Sequence, residues 1–467
     1  MAEIDFWTAT ELGAAFKRQE LSPVEATEAA LGRIAELDPV LHCYAVVFEE
    51  AARRDAARAE AELAAGRRRG PLHGVPVAVK DLCDVEGVPT MAGAAVLRDN
   101  VASSDATVVR RLRDAGAVIL GKLNLTEGAL AGYNPDFDVP MNPWGQDRWA
   151  GVSSSGSGAA TAAGLCVASL GSDTGGSIRF PAAANGVVGL KPTHGRVSRS
   201  GVFPLAPSLD HVGPLTRCSM DAGLVLEAIA GEDAADPTSI AGPAGTFIAG
   251  INAGISGLRV GVDNEYNTTE VDPTTVDAIS TAVGVLNALG AEIVEIEVPS
   301  LDETAWFVIC GSEAAVAHDG YYPDRAGEYG GFAREFLAQG NEFNATDLVR
   351  AQQQRATFTG ELNRVFDDVD VIACPSFHGS AFLAPPDKLR GSQDEVLSLS
   401  PHLRPEFTAR FDLSGNPTIS LPAGFDEDHM PLSLQLVGRH MEEATLLRIG
   451  QSFEVATEWH THHPPLP

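Results

Sequence analysis

Strand-type and helix-type segments alternate along most of this chain, and the alternation restricts the fold more than any other feature. Short β-branched runs at 75–80, 117–120, 258–262, 292–298, 369–373 and 432–437 read as strands. Segments with apolar residues at helical spacing lie between and after them, at 105–115, 273–289, 345–366 and 442–458. This pattern predicts an α/β layered protein in which helices cover a sheet. Residues 1–65 read as helices. Ser22, Pro23 and Glu25 form a start signal, with Ser22 as cap, Pro23 in the first turn and Glu25 closing a capping box. No fixed repeat and no Pro/Gly/Ser-rich linker divides the 467 residues, so 1–467 is read as one domain. Its segment 376–407 is irregular and proline-rich, the character of a pocket loop or a surface excursion.

Composition narrows the function classes. Lysine and arginine number 33 against 63 acidic residues, a formal charge of −30. Such a surface repels phosphate backbones and argues against nucleic acid as partner. The six cysteines stand singly, without a C-x-x-C pair, which predicts free thiols rather than a disulfide framework or a zinc site. Glu3, Asp5 and Glu11 stand where a signal peptide would carry basic residues. No apolar run approaches the roughly 18 residues that span a bilayer. The expectation is a cytoplasmic protein with no membrane partner.

The chemistry concentrates in 151–191. Serine and glycine crowd together at Ser153–Gly158 and again at Thr174–Ser177, separated by a small-residue stretch and the apolar Leu165, Val167 and Leu170. In Thr174-Gly175-Gly176-Ser177 the two glycines let consecutive N–H groups turn toward one point, which suits a developing oxyanion. Residues 178–184 can open a helix there and add its positive end. A serine beside such a cradle needs a base. His73, His194 and His211 are near in sequence but sit in no informative motif, and the G-x-S-x-G elbow is absent. Lys80 ends the hydrophobic run Val77-Ala78-Val79-Lys80. Desolvation would lower its pKa and make it a base, although the lysine taken alone fits better as a residue paired with Asp81 or Asp84.

The whole block resembles the amidase signature family. The matching pieces are Gly74-Val75-Pro76-Val77-Ala78-Val79-Lys80-Asp81, Ser153-Ser154, Asp173-Thr174-Gly175-Gly176-Ser177-Ile178-Arg179, Gly189-Leu190-Lys191-Pro192-Thr193 and Gly195-Arg196-Val197. Gly415-Asn416-Pro417 and Leu434-Gln435-Leu436-Val437-Gly438 match as well. The likeness is dense over 70–215, returns at 410–450, and is thin between. It implies a large mixed β-sheet core covered by helices on both sides. It also implies a Ser–cisSer–Lys triad with Ser177 as nucleophile, Ser153 as bridge and Lys80 as base. The backbone N–H groups of Thr174, Gly175, Gly176 and Ser177 would form the oxyanion hole, with Ser154, Asp173 and Arg179 in support. The family interval of 24 residues before Ser177 falls on Ser153, with Ser154 as the alternative. Val152 and Ser155 stand where the family often has glycine.

The implied activity is hydrolysis of an aryl or aliphatic carboxylic amide through an acyl-enzyme. Esters and carbamates (urethanes) present a similar carbonyl. No cofactor and no metal is implied, and the protein is expected as a monomer or homodimer. A glutamine-hydrolysing subunit of a glutamyl-tRNA amidotransferase is the alternative, and a catalytically dead binding protein on the same scaffold is a third. Pocket walls are expected from 128–141, 304–345 and 376–407, which hold Tyr133, Phe137, Trp306, Phe307, Tyr321, Tyr322, Phe332, Phe336 and Phe382. Gly116–Lys122 imitates a phosphate-binding loop but has Leu123 in place of Ser/Thr, and is read as strand and turn. His460, His462 and His463 are read as a solvated tail.

Overall fold

The structure is a computed structural model that describes residues 4–242 and 244–466; Glu3 of the N-terminal acidic group lies outside the described residues. Its strands are β1 (Tyr44–Val47), β2 (Pro76–Lys80), β3 (Val118–Leu123), β4 (Ala168–Asp173), β5 (Val188–Lys191) and β6 (His211–Thr216). They continue with β7 (Arg259–Val262), β8 (Glu292–Glu295), β9 (Val371–Pro375), β10 (Thr418–Phe425) and β11 (Pro431–Gly438). Among the described residues they form one eleven-stranded sheet in the order β1-β3-β2-β4-β6-β5-β10-β11-β9-β7-β8. Strands β3, β2 and β4 run parallel, as do β9, β7 and β8. The centre from β4 through β6, β5, β10 and β11 to β9 is antiparallel, so the sheet is mixed.

Both faces of the sheet are covered, and the two-residue period of the strands shows it. Val77, Val79 and Ile119 join one apolar core, whereas Ala78, Val118 and Leu120 join another on the opposite face. The first core is closed by helices Ala9–Arg18, Thr107–Asp114, Ser219–Ile229, Pro273–Ala288 and Glu443–Thr457. The second is closed by Pro23–Leu41, Glu49–Ala64 and Ser155–Ala162. Each fully buried Leu, Ile or Val contributes about 1.5–3 kcal/mol. The start of Pro23–Leu41 is the capping box read from the sequence. The Glu25 N–H donates to Ser22 Oγ at 3.2 Å, and the Ser22 N–H to Glu25 Oε2 at 2.8 Å.

Three local expectations are corrected. Residues 1–65 are not all helix, because Tyr44–Val47 breaks out as an edge strand paired antiparallel with β3. Four residues carry too little pattern to separate a strand from the helices beside it. The segment 376–407 contains two short helices, Pro386–Leu389 and Gln393–Leu397. The C-terminal histidines are not a free tail: His460 is half-buried, His463 stacks on Phe6 at 3.8 Å, and His462 lies against Phe425 and Trp459. The phosphate-loop lookalike is strand at its centre. Its Lys122 is buried in β3, 2.6 Å from Asp81, and donates to the Pro89 carbonyl and Thr90 Oγ1.

Candidate active site

Lys80 and Asp173 end the adjacent parallel strands β2 and β4. The carboxyl ends of parallel strands are where α/β sheets open crevices for ligands. The Lys80 ammonium nitrogen donates to Ser153 Oγ at 2.7 Å and to Ser172 Oγ at 2.9 Å. Asp81 pairs with Lys122 instead of Lys80, and Asp84 accepts from Thr90 Oγ1 at 2.7 Å. Burial therefore has no adjacent carboxylate to offset it. It pushes the Lys80 pKa down to about 7, against the opposing pull of Asp173.

The serine run enters helix Ser155–Ala162, and the Val152–Ser153 peptide is cis. Ser153 turns to Lys80. Ser154 turns to the backbone of β4, donating to the Ser172 carbonyl at 3.2 Å and accepting from the Ser172 N–H at 3.3 Å. Its own N–H donates to the Ser177 carbonyl at 3.3 Å, which lays the two serine segments side by side. Of the three hydroxyl and amine groups singled out by the sequence, Lys80 and Ser153 are sealed at 1% and 0% exposure, whereas Ser177 at 9% opens into a pocket.

The loop Thr174–Ser177 is pinned peptide by peptide. Asp173 Oδ1 accepts from the Gly176 N–H at 2.6 Å, and Asp173 Oδ2 from the Ile178 N–H at 2.9 Å. The Gly175 carbonyl accepts from Thr408 Oγ1 at 2.6 Å, the Thr174 carbonyl from Trp306 Nε1 at 2.8 Å, and the Gly176 carbonyl from the Phe180 N–H at 2.7 Å. The Gly176 N–H, expected to face the oxyanion, is thus taken by Asp173. Among the described residues, the amides of Thr174, Gly175 and Ser177 have no such partner. Both glycines are needed here. A Cβ on Gly175 would meet the Trp306 ring at 2.5 Å, and Gly176 has φ +129°.

Asp173 and Arg179 form a buried pair, with Arg179 also bonded to Asp412 at 2.6 Å, the Thr408 carbonyl at 3.0 Å and Gln435 Oε1 at 3.1 Å. Burial alone would raise the Asp173 pKa, but the Arg179 guanidinium outweighs it and holds the carboxylate well below its usual range. The loop is thereby anchored to a charged pair whose partners come from the other end of the chain. Asp210 adds a further tie, accepting from Thr174 Oγ1 at 2.6 Å.

The pocket over Ser177 has a volume of about 110 Å³. Trp306, Phe307, Phe332 and Phe336 line it, as do Leu397, Leu403, Arg404 and Pro405. Val152, Phe180 and Leu205 join them without any expectation from the sequence. The other aromatics lie elsewhere. Tyr133 donates to Ser155 Oγ at 2.7 Å, Phe137 packs under Arg98, and Tyr321 packs against Arg325. Tyr322 meets Tyr329, and Phe382 stacks on Trp149. None of the three candidate histidines bonds Ser177. His73 faces Glu62, and burial lowers the pKa of His211, whose Nδ1 lies 3.3 Å from Asp412. Among the described residues, no group of three or more His, Cys, Asp or Glu is placed to hold a metal.

Ser172, Asp210, Thr408 and Asp412 went unread, and Trp306 was read only as a pocket aromatic. Ser172 lies in a strand whose sequence, Ala-Ser-Leu-Gly-Ser-Asp, carries no chemical signal. Thr408 and Asp412 stand 229 and 233 positions from Arg179, so no local spacing points to them. Gln435 alone had a signal, since it lies within a matched C-terminal segment.

Known proteins resemble this chain along most of its length. The family model described as Amidase matches residues 25–447. A Mycobacterium tuberculosis protein carrying the amidase name AmiD is 44% identical over 462 residues, covering 98% of this chain and 95% of its own. A glutamyl-tRNA(Gln) amidotransferase subunit from Thermosynechococcus vestitus is 36% identical, covering 98% of this chain and 99% of its own. Among solved structures, the peptide amidase of Stenotrophomonas maltophilia superposes with a TM-score of 0.84 at 29% identity, covering 98% of both chains.

Proposed function

Since the chain belongs to the amidase signature family of amidohydrolases, we propose that it is a free-standing amidase that cleaves carboxylic amides with a compact apolar acyl group, through an acyl-enzyme on Ser177. The observation that carries this reading is the Lys80–Ser153 contact of 2.7 Å, sealed from water, on a segment tied through Ser154 to the backbone of Ser177, which lines the pocket. In this reading neutral Lys80 draws a proton from Ser153 as Ser153 draws one from Ser177. Ser177 Oγ then bonds to the acyl carbon, and the carbonyl electron pair moves onto oxygen. The N–H groups of Gly175 and Ser177, with that of Thr174, would receive the oxyanion. As the C–N bond breaks, the proton returns through Ser153 to the leaving nitrogen. Water repeats the sequence and frees the acid.

Substrate class follows from pocket size and polarity. An engineered cavity of about 150 Å³ lined by Leu, Ile and Phe admits benzene, so about 110 Å³ here suits one ring or a short aliphatic chain. Esters and carbamates of the same acyl size would acylate Ser177 by the same route. A monomer or homodimer acting in the cytoplasm on small molecules fits this reading.

The relative in the tRNA-dependent amidotransferase keeps the glutamine-hydrolysing reading in play. Free glutamine carries an ammonium and a carboxylate beyond its amide. Among the residues lining the pocket there is no carboxylate, and the one charged side chain, Arg404, is paired with Glu270. That polarity favours an apolar acyl group. The test is kcat/KM on primary amides of increasing chain length, benzamide, a naphthamide, an anilide, a phenyl ester, a phenyl carbamate and glutamine. We expect a rise of about fourfold per CH2 until the pocket fills, a drop at naphthamide, and no turnover in Ser177→Ala. Glutamine as the sole substrate would establish the amidotransferase reading instead. Full activity in Ser177→Ala would end the acyl-enzyme account.

A further inference from the structure

Trp306 is more than a wall of the pocket. A trans peptide is planar, so its C=O and N–H point in opposite directions and turn together. The Thr174 carbonyl therefore shares its plane with the Gly175 N–H, and whatever holds one aims the other. Trp306 Nε1 donates to the Thr174 carbonyl at 2.8 Å. The next plane is held at both ends, by Thr408 on the Gly175 carbonyl and Asp173 on the Gly176 N–H. The following plane is held by the Phe180 N–H on the Gly176 carbonyl, which directs the Ser177 N–H. Of the three planes, the one carrying the Gly175 N–H alone depends on a side chain that also lines the pocket. The Trp306 ring further confines this peptide, lying 2.5 Å from where a Gly175 Cβ would be.

We propose that Trp306 is a positioning residue for the reaction: its indole N–H aims the Gly175 N–H at the developing oxyanion, while its ring forms part of the acyl-group wall. The inference rests on the reading of Ser177 as nucleophile. One side chain then serves both tasks, so an acyl group seated against the indole ring presses on the group that sets the oxyanion donor. Donation into the Thr174 carbonyl also polarises that peptide and strengthens its N–H as a donor. Removing an oxyanion donor outright costs about 10²–10³ in kcat. Loosening one that remains present costs less.

The test is Trp306→Phe, which keeps an aromatic wall and removes the N–H, beside Trp306→Ala, which removes both. With a fitting amide, Trp306→Phe lowers kcat about tenfold and leaves KM within twofold. Trp306→Ala lowers kcat and raises KM. Two inhibitors separate positioning from bulk structure. An aldehyde of the same acyl group adds Ser177 Oγ and forms an oxyanion, whereas the matching primary alcohol only fills the pocket. Trp306→Phe should lose about tenfold in aldehyde affinity and none in alcohol affinity, and unchanged alcohol binding shows that the pocket is folded. Equal loss for both inhibitors, or wild-type kcat and aldehyde binding, overturns the proposal. Ser177→Ala is run alongside. If it keeps turning over substrate, the nucleophile reading fails; if it is silent while Trp306→Phe behaves as wild type, the Trp306 inference alone fails.

Discussion

At its ordinary pKa of about 10.4, less than roughly 0.1% of a lysine is neutral at pH 7. For Lys80 to take a proton, as proposed, its surroundings must change that proportion. It has no carboxylate in contact and two serine hydroxyls for partners, and burial brings its pKa to about 7. Near neutrality about half of it is then the free amine. The sign of the pH dependence follows. A base acts when deprotonated, so kcat/KM should rise about tenfold per pH unit below pH 7 and level off above it. Lys80→Ala should lower the plateau by about 10²–10⁴ and abolish that limb, which a pH–rate profile of both proteins would read. A limb that persists in Lys80→Ala belongs to another group. Much of this was legible in the sequence, because Lys80, Ser153, Asp173, Ser177 and Arg179 stand in a matched motif. Ser172 was not, because a serine in a buried strand looks the same whether or not it meets an amine. Nor was the diversion of the Gly176 N–H to Asp173, because a run of amides does not reveal which way each plane turns.

At the scale of elements, legibility depended on how much pattern each segment carries. The long helix Ala345–Asp368 and the strands β7, β9 and β11 lie within a few residues of their expected places. Strands β4, β5, β6 and β10 were not read. Each contains glycine or proline within a short run, and they are buried from both faces, so apolar and polar residues do not alternate. Helix starts were clearer, because a cap is a local interaction. Ser22 caps Pro23–Leu41 and is not among the residues lining the pocket, so Ser22→Ala should cost about 1 kcal/mol of stability in a denaturant titration and leave kcat unchanged. A loss of activity at full occupancy of the folded state would mean that this helix communicates with the site.

For the whole molecule, one mixed sheet places Lys80, the proposed base, and the loop that bears Ser177, the proposed nucleophile, at the ends of neighbouring parallel strands, while the carboxylate, threonine and glutamine that brace Arg179 arrive from residues 408–435. The thin middle of the resemblance, which includes residues 304–345, supplies much of the pocket wall. That division explains why the candidate residues stood out in the sequence and the substrate did not: a motif needs fixed residue types at fixed spacing, whereas a wall needs only apolar bulk. The claim on which the rest depends is the covalent intermediate at Ser177. The direct measurement is intact-protein mass spectrometry after mixing with a phenyl ester or carbamate of fitting acyl size, followed by peptide mapping. The account predicts a single added acyl or carbamoyl mass on the peptide holding Ser177, absent in Ser177→Ala and slow to form in Lys80→Ala. An adduct on any other residue, or turnover by Ser177→Ala at the wild-type rate, would contradict it.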